Sequence, residues 1–316
     1  MAVKQTNHQN NNRGFLVAII SAVVLSFTGI IIRMVSEDYQ LPALILAFWR
    51  DSFVVICAFP FLVILKSSVL KIKLNNLGFL LMFGFALACF NIAWTLAVTL
   101  SGAAIATVLV YSSAGFTAVL GYFFLGESLG WKKAVSVVLC LLGCLFVSGA
   151  VDVNAWRMNA LGILSGILSG LLYALYSILG RLAAQRDLNP WTTLFYTFLF
   201  AAVFLLIINL LPLDFIPAKA NGFPELFELG RQWRGWILLI ILAAGPTLIG
   251  FGLYNVSLGM LPSSTANLIL TLEPVITAIT AYFLLDERLT ALELIGSGMI
   301  LGALILLRYR RTKRFS

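Results

Sequence analysis

Glu273 is the residue whose setting asks most of chemistry. It stands near the midpoint of an apolar run from Pro262 to Leu285 and is followed at once by Pro274. A run of that length spans a hydrocarbon core of ~30 Å, which needs ~20 apolar residues. A carboxylate at that depth is costly unless it has a partner, a cavity or a proton. Two roles fit: a protonatable group facing substrate, which exchanges a proton for cargo, or a structural cap or ion pair beside the carbonyl that Pro274 leaves without its N–H donor. Arg50 raises the same question. It lies ~12 Å into its own helix at 1.5 Å per residue, next to Asp51. It can meet a substrate carboxylate, snorkel to the interface or pair with an acid, and the structural pair is the reading taken here.

Uncharged polar residues form the second set. Asn267 and Thr271 are four apart and share one face of the helix that carries Glu273, while Glu273 points some 200° away. Either that face lines a pathway and Glu273 packs, or the reverse. Thr107, Tyr111 and Ala118 are the corresponding positions 160 residues earlier. Because the polar face recurs, it is read as the lining. Tyr173 and Tyr176, three apart in mid-helix, need hydrogen-bond partners and could cradle an amphipathic ligand. Asn91 and Asn255 fall within helices as lining or as interhelical glue. Trp94 and Tyr254 lie near helix ends, and Trp94 in particular reads as part of an interfacial belt.

The elements that position these residues are helices in a membrane. The chain is 61% hydrophobic and 11% charged, with a mean hydropathy of +1.00, whereas soluble domains are roughly a quarter charged. Ten spans are expected, at about 15–35, 42–65, 77–97, 102–125, 131–150, 159–184, 190–211, 235–258, 262–285 and 291–307. The net charge of +8 does not indicate nucleic acid, because the basic residues gather at helix ends. Lys66, Lys71, Lys73, Lys132, Lys133, Arg181, Arg186 and the tail RYRRTKR fall on the side of the N-terminus, which predicts cytoplasmic termini in an inner membrane. The first apolar run is too long for a removable signal. The single histidine, His8, lies in the polar tail, so no histidine metal site, cofactor motif or catalytic cluster is expected. Cys57, Cys89, Cys140 and Cys144 lie within apolar helices and imply no disulfide framework. Gly162, Gly166 and Gly170, and Gly296, Gly298 and Gly302, allow close helix packing. Packing within the chain is the reading taken, with a homodimer seam as the alternative. Gly245-Pro246 suggests a hinge.

The chain also repeats. A shift of 160 residues places Tyr122, Phe123, Leu125, Glu127 and Leu129 on Tyr282, Phe283, Leu285, Glu287 and Leu289. Two halves of five helices follow, 15–150 and 159–308, between tails at 1–14 and 309–316. Five is odd, so the halves insert with opposite orientation, as in secondary transporters whose site lies at the midplane.

Glu273-Pro274, Leu172-Tyr173-Ala174-Leu175-Tyr176, Phe48-Trp49-Arg50 and the Leu-x-Glu-x-Leu motifs at Leu125–Leu129 and Leu285–Leu289 resemble the EamA family of the drug/metabolite transporter superfamily. The first half carries Ser113-Ala114 where the second has Glu-Pro. The resemblance implies a ten-helix carrier moving small metabolites, often amino acids, outward. The expected site is Tyr111, Asn91, Tyr173, Tyr176, Asn255, Asn267 and Thr271, with Glu273 and Arg50 as coupling or structural charges. The expected partners are a small-molecule substrate, the lipid bilayer and protons.

Overall fold

In the computed structural model the described residues are 2–66, 71–147, 151, 160–211, 219–220, 222–285 and 290–308. Among them the chain is helical and contains no strand. The helices are α1 (Ala2–Tyr39), α2 (Ala43–Lys66), α3 (Leu74–Tyr111), α4 (Ser113–Leu125), α5 (Trp131–Val147), α6 (Ala160–Gln185), α7 (Pro190–Leu210), α8 (Trp233–Leu242), α9 (Phe251–Met260), α10 (Ser263–Leu270), α11 (Glu273–Leu285) and α12 (Ala291–Arg308). Seven helical stretches among the described residues are long and apolar enough to cross a membrane, and Ala291–Leu307 is a shorter apolar helix. Asp286–Leu289 of the second Leu-x-Glu-x-Leu motif and the tail beyond Arg308 lie outside the described residues.

Helical bonding runs through α3 without a gap, yet α3 contains two spans. Phe83 and Phe90 pack on Tyr176 and Tyr173 with ring centroids 4.7 and 5.2 Å apart. Leu109 and Ser113, much later in sequence, press on Gly166 and Gly170 of the same helix. A straight helix would carry Leu109 ~39 Å beyond Phe83, so the chain doubles back, consistent with the separate apolar stretches Leu74–Val98 and Ile105–Leu125. The expected boundary near Gly102 is thus a turn within continuous helical bonding.

Two helices break at matching registers. The first breaks at Ser112, between α3 and α4, and the second at Thr271-Leu272, between α10 and α11. The 160-residue shift sets Tyr111 on Thr271 and Ser113 on Glu273. Pro274 accounts for the second break, since it cannot donate to Leu270. The first has no proline, and there the Ser112 hydroxyl folds back onto the Leu109 carbonyl at 2.5 Å. Discontinuous helices near the midplane are where membrane carriers place polar sites.

Gly245-Pro246 lies in a π-helical stretch, Ala243–Gly250, that joins α8 to α9. Pro246 leaves the Leu242 carbonyl without its donor, and the Thr247 hydroxyl supplies one at 2.8 Å. The prolyl strain is absorbed locally. The ends of other helices follow ordinary capping chemistry. Asn189 accepts from the backbone of Trp191 at 2.9 Å ahead of Pro190, and Thr290 and Glu293 form a capping box at α12.

The halves interlock. α3 packs along α6, α5 along α12, α1 against α9 and α11, and α2 against α7. The glycine stripe of α6 serves this packing within the chain. A Cβ on Gly166 would lie 2.8 Å from the Leu109 Cβ, and one on Gly170 would lie 2.8 Å from the Leu109 carbonyl. Gly143 and Gly296 bring α5 and α12 equally close, with built Cβ atoms 2.7 and 2.6 Å from the opposing carbonyls. Gly298 and Gly302, by contrast, face open space. Gly166→Leu is expected to lower the melting temperature of the purified protein, with an overpacking cost of about 1–3 kcal/mol or more. Gly302→Leu should leave it nearly unchanged.

Candidate functional site

The expected residues divide into three groups around the two helix breaks. The first surrounds Glu273, the opening residue of α11. The Tyr111 hydroxyl at the end of α3 lies beside its carboxyl, and Tyr173 and Cys144 are its other polar neighbours. Glu273 is half-buried and keeps some accessible surface although protein surrounds it on these sides. Among the described residues no cation pairs with it. Tyr173 stacks on Phe90 at 5.2 Å and lies 6.2 Å from the Tyr254 ring, giving the carboxylate an aromatic wall.

The second group is a buried network one turn nearer the basic end of the bundle. Asn267 Nδ2 donates to Ser177 Oγ at 3.0 Å and to Tyr254 Oη at 3.4 Å, while its Oδ1 accepts from Ser113 Oγ at 3.2 Å. Ser177 and the Tyr254 hydroxyl are 2.7 Å apart, and the Tyr176 hydroxyl donates to Asn255 Oδ1 at 3.3 Å. Tyr176 and Tyr254 are fully buried. Tyr254 is thus part of the core network and does not sit in an interfacial belt. Thr271 donates to the Leu268 carbonyl at 2.7 Å and approaches Cys140 Sγ at 3.2 Å. In this conformation the Asn267 and Thr271 face is occupied by protein partners, whereas Glu273 keeps accessible surface. Five helices from both halves, α4, α5, α6, α9 and α10, meet here.

The third group is the Arg50 cluster. Arg50 Nε donates to Asp51 Oδ1 at 3.0 Å, Arg50 Nη2 to Asn91 Oδ1 at 2.8 Å, and Asn91 Nδ2 to Asp51 Oδ2 at 2.9 Å. The three side chains close a ring with Asp51 wholly buried and Arg50 8% exposed. Arg50 is thus paired with the neighbouring acid, and the ring also takes up Asn91. A cavity of about 60 Å³ lies beside it, with Trp94, Thr95 and Ile32 in its wall. Trp94 therefore borders a cavity between helices.

The ends of the bundle differ. At the end that carries Lys133, Arg181 and Arg186, α4 packs on α10, Arg181 Nη1 donates to the Leu258 carbonyl at 2.7 Å, and Arg186 lies over Phe79 at 4.2 Å. Beyond the breaks, α11 packs instead against α1, α5 and α12. At that opposite end Trp49 Nε1 donates to the Leu226 carbonyl at 2.6 Å and meets Trp236 edge-on at 4.9 Å, which fastens the segment ahead of α8 onto α2. At the basic end α4 and α10 thus close on each other.

Ser177 was not singled out from sequence, and Ser113, Asp51 and Lys133 were noted there without being placed in the site. Serines in apolar helices are too common to be a signal on their own. Asp51 does carry one, as an acid set beside an intramembrane arginine.

A helical bundle with broken helices, repeated halves and a polar midplane defines the class of an integral membrane transporter. The EamA-like transporter family matches residues 12–149 and 160–309, so the chain belongs to this family, as two tandem copies. It is 28% identical over 276 residues to the S-adenosylmethionine uptake transporter of Rickettsia bellii, covering 85% of each chain. It is 24% identical to the "Probable amino-acid metabolite efflux pump" of Escherichia coli, covering 94% of this chain and 96% of that one. A crystal structure with 15% identity superposes with a TM-score of 0.77 over 96% of this chain and 99% of that one, a likeness of fold. The chain is a multi-pass membrane transporter of the drug/metabolite type and not an enzyme.

Proposed function

We propose that the protein is a ten-pass secondary carrier that exports amino acids or closely related amphipathic metabolites in exchange for protons. The observation that carries this reading is Glu273, a half-buried carboxylate at a helix break with no cation partner among the described residues. Such a group is stabilised by a proton or by a cationic ligand. The Tyr173 ring beside it suits an ammonium or similar cation, which is attracted to aromatic faces. Proton and substrate then compete for one carboxylate. A proton entering from outside displaces the amine, and an inward proton gradient drives the amine outward. Tyr111 and Tyr173, both buried, flank Glu273, which keeps accessible surface in this conformation. Asn267, Thr271, Tyr176 and Asn255 become accessible when their network parts in the opposite state.

The basic residues support a reading in which the closed end lies in the cytoplasm by the positive-inside rule, the conformation facing outward with both termini inside. The relatives' names support metabolites bearing an amino-acid moiety and include both uptake and efflux. The test is flux of labelled amino acids and S-adenosylmethionine in proteoliposomes with and without an imposed pH gradient. Saturable flux that rises with the gradient supports the reading. Saturable flux indifferent to the gradient removes the exchange mechanism, and the absence of flux for the whole panel removes the substrate class.

A further inference from the structure

The Leu-x-Glu-x-Leu motif of the first repeat has a residue, Glu127, that the transport site does not use. Its carboxylate sits on the first turn of α10, in the other repeat. Oε1 accepts from the Ser263 backbone N–H at 2.5 Å and from its hydroxyl at 2.7 Å. Oε2 accepts from the Ser264 N–H at 3.2 Å and also from the Ser264 hydroxyl. Lys133 of α5 completes the group, with Nζ 2.7 Å from Ser264 Oγ and 3.8 Å from Glu127 Oε2.

The local chain is built to deliver this carboxylate. α4 ends at Gly126 with φ 63°, a left-handed cap that suits glycine. The Glu127 N–H then returns to the Gly121 carbonyl at 2.9 Å. A side chain on Gly121 would put its Cβ 2.9 Å from Glu127 Oε2, so the absent Cβ makes room for the carboxylate to cross α4. The receiving helix lacks a cap of its own. The residue before α10 is Pro262, which makes no side-chain cap, and the first N–H groups of a helix have no partner within it. A negative charge from another element satisfies them and suits the helix dipole.

We propose that Glu127 is the latch of the inner gate, a positioning residue that ties the repeats together in the outward-facing state and must release for the inner end to open. α4 and α10 meet at the closed end, and Glu127 with Lys133 and Ser264 ties the two repeats together there. Its contacts join the end of α4 and the start of α5 to the first turn of α10, so they break together when α10 moves away from α4. The inference rests on the alternating-access reading, but its test reads closure and not flux.

Ala118, on the helix that leads to the latch, is 3% exposed. In the full chain with Cys57, Cys89, Cys140 and Cys144 replaced by alanine, Ala118→Cys is labelled with a membrane-impermeant maleimide supplied at the cytoplasmic face of inside-out vesicles. Glu127→Ala is expected to raise the labelling rate at least about tenfold, the factor for a single charge-assisted bond. A second variant, Glu127→Ala with Pro262→Asp, gives α10 a local cap without joining the repeats. It should recover thermal stability yet keep the fast labelling. If the double variant returns to the slow rate, Glu127 is a helix cap and no latch. An unchanged rate in the single variant overturns the proposal as well. Should Glu127→Ala not fold, the double variant decides the matter on the same readout.

Discussion

Glu273→Gln removes the response of transport to a pH gradient and leaves a folded protein. Glutamine keeps the shape beside Tyr111, but it can neither release a proton nor carry a negative charge. On the exchange reading both partners of the carboxylate are lost together. Affinity for amino-bearing substrates should fall about 10–100-fold, the range for one charge-assisted hydrogen bond of about 1.5–3 kcal/mol. Residual flux of substrate down its own gradient should no longer depend on external pH between 5 and 8. The sign follows from competition: in the wild type, acidifying the outside accelerates efflux, because protons displace outgoing substrate at the outer face. Thermal stability should hold or rise, since a carboxylate with no cation beside it is replaced by a neutral amide. A variant that loses its fold, or that keeps full gradient coupling, would show Glu273 to be structural.

Arg50→Met is expected to destabilise the protein by about 3–5 kcal/mol, because it strands the fully buried Asp51 carboxylate beside Asn91. Arg50→Met with Asp51→Leu should recover most of that loss, since an apolar pair of similar volume replaces a whole ion pair. Asn91→Leu lies between them, as it takes one partner from each charge. The measure is the midpoint of thermal unfolding in one detergent, read for all four proteins. Equal losses in the single and double Arg50 variants would mean that the guanidinium contributes something other than the ring, such as a contact to substrate in the neighbouring cavity.

Much of the architecture was legible because the membrane imposes simple rules. Apolar run length anticipated membrane-crossing helices, seven of which are long and apolar enough among the described residues, and the internal repeat agrees with the tandem family match. The breaks were half legible. Pro274 announces one, but Ser112 has no proline, and only its register against Thr271 relates it to the other. The helix boundary near Gly102 is hidden within continuous helical bonding. Which face of the Glu273 helix is open was not decidable from spacing. Asn267, Thr271 and Glu273 are all polar, and a helix wheel sets them apart without saying which side meets a neighbour. Here Ser113, Ser177 and Tyr254 occupy Asn267, while Glu273 keeps surface. Arg50 could be read more firmly, because its acid was the next residue. Glu127 was visible as part of a motif, but its partner lies 136 residues away, and no local pattern reveals that distance.

Proton release on substrate binding tests the central claim most directly. Purified protein in weakly buffered detergent solution, poised near pH 8 and again near pH 6, is mixed with amino acids and S-adenosylmethionine while the pH is followed. If one carboxylate takes either a proton or the cationic group of the substrate, the wild type releases protons on binding, more at the lower pH, and Glu273→Gln releases none. Saturable binding by the wild type with no proton release at either pH would contradict the account, since substrate and proton would then not share Glu273.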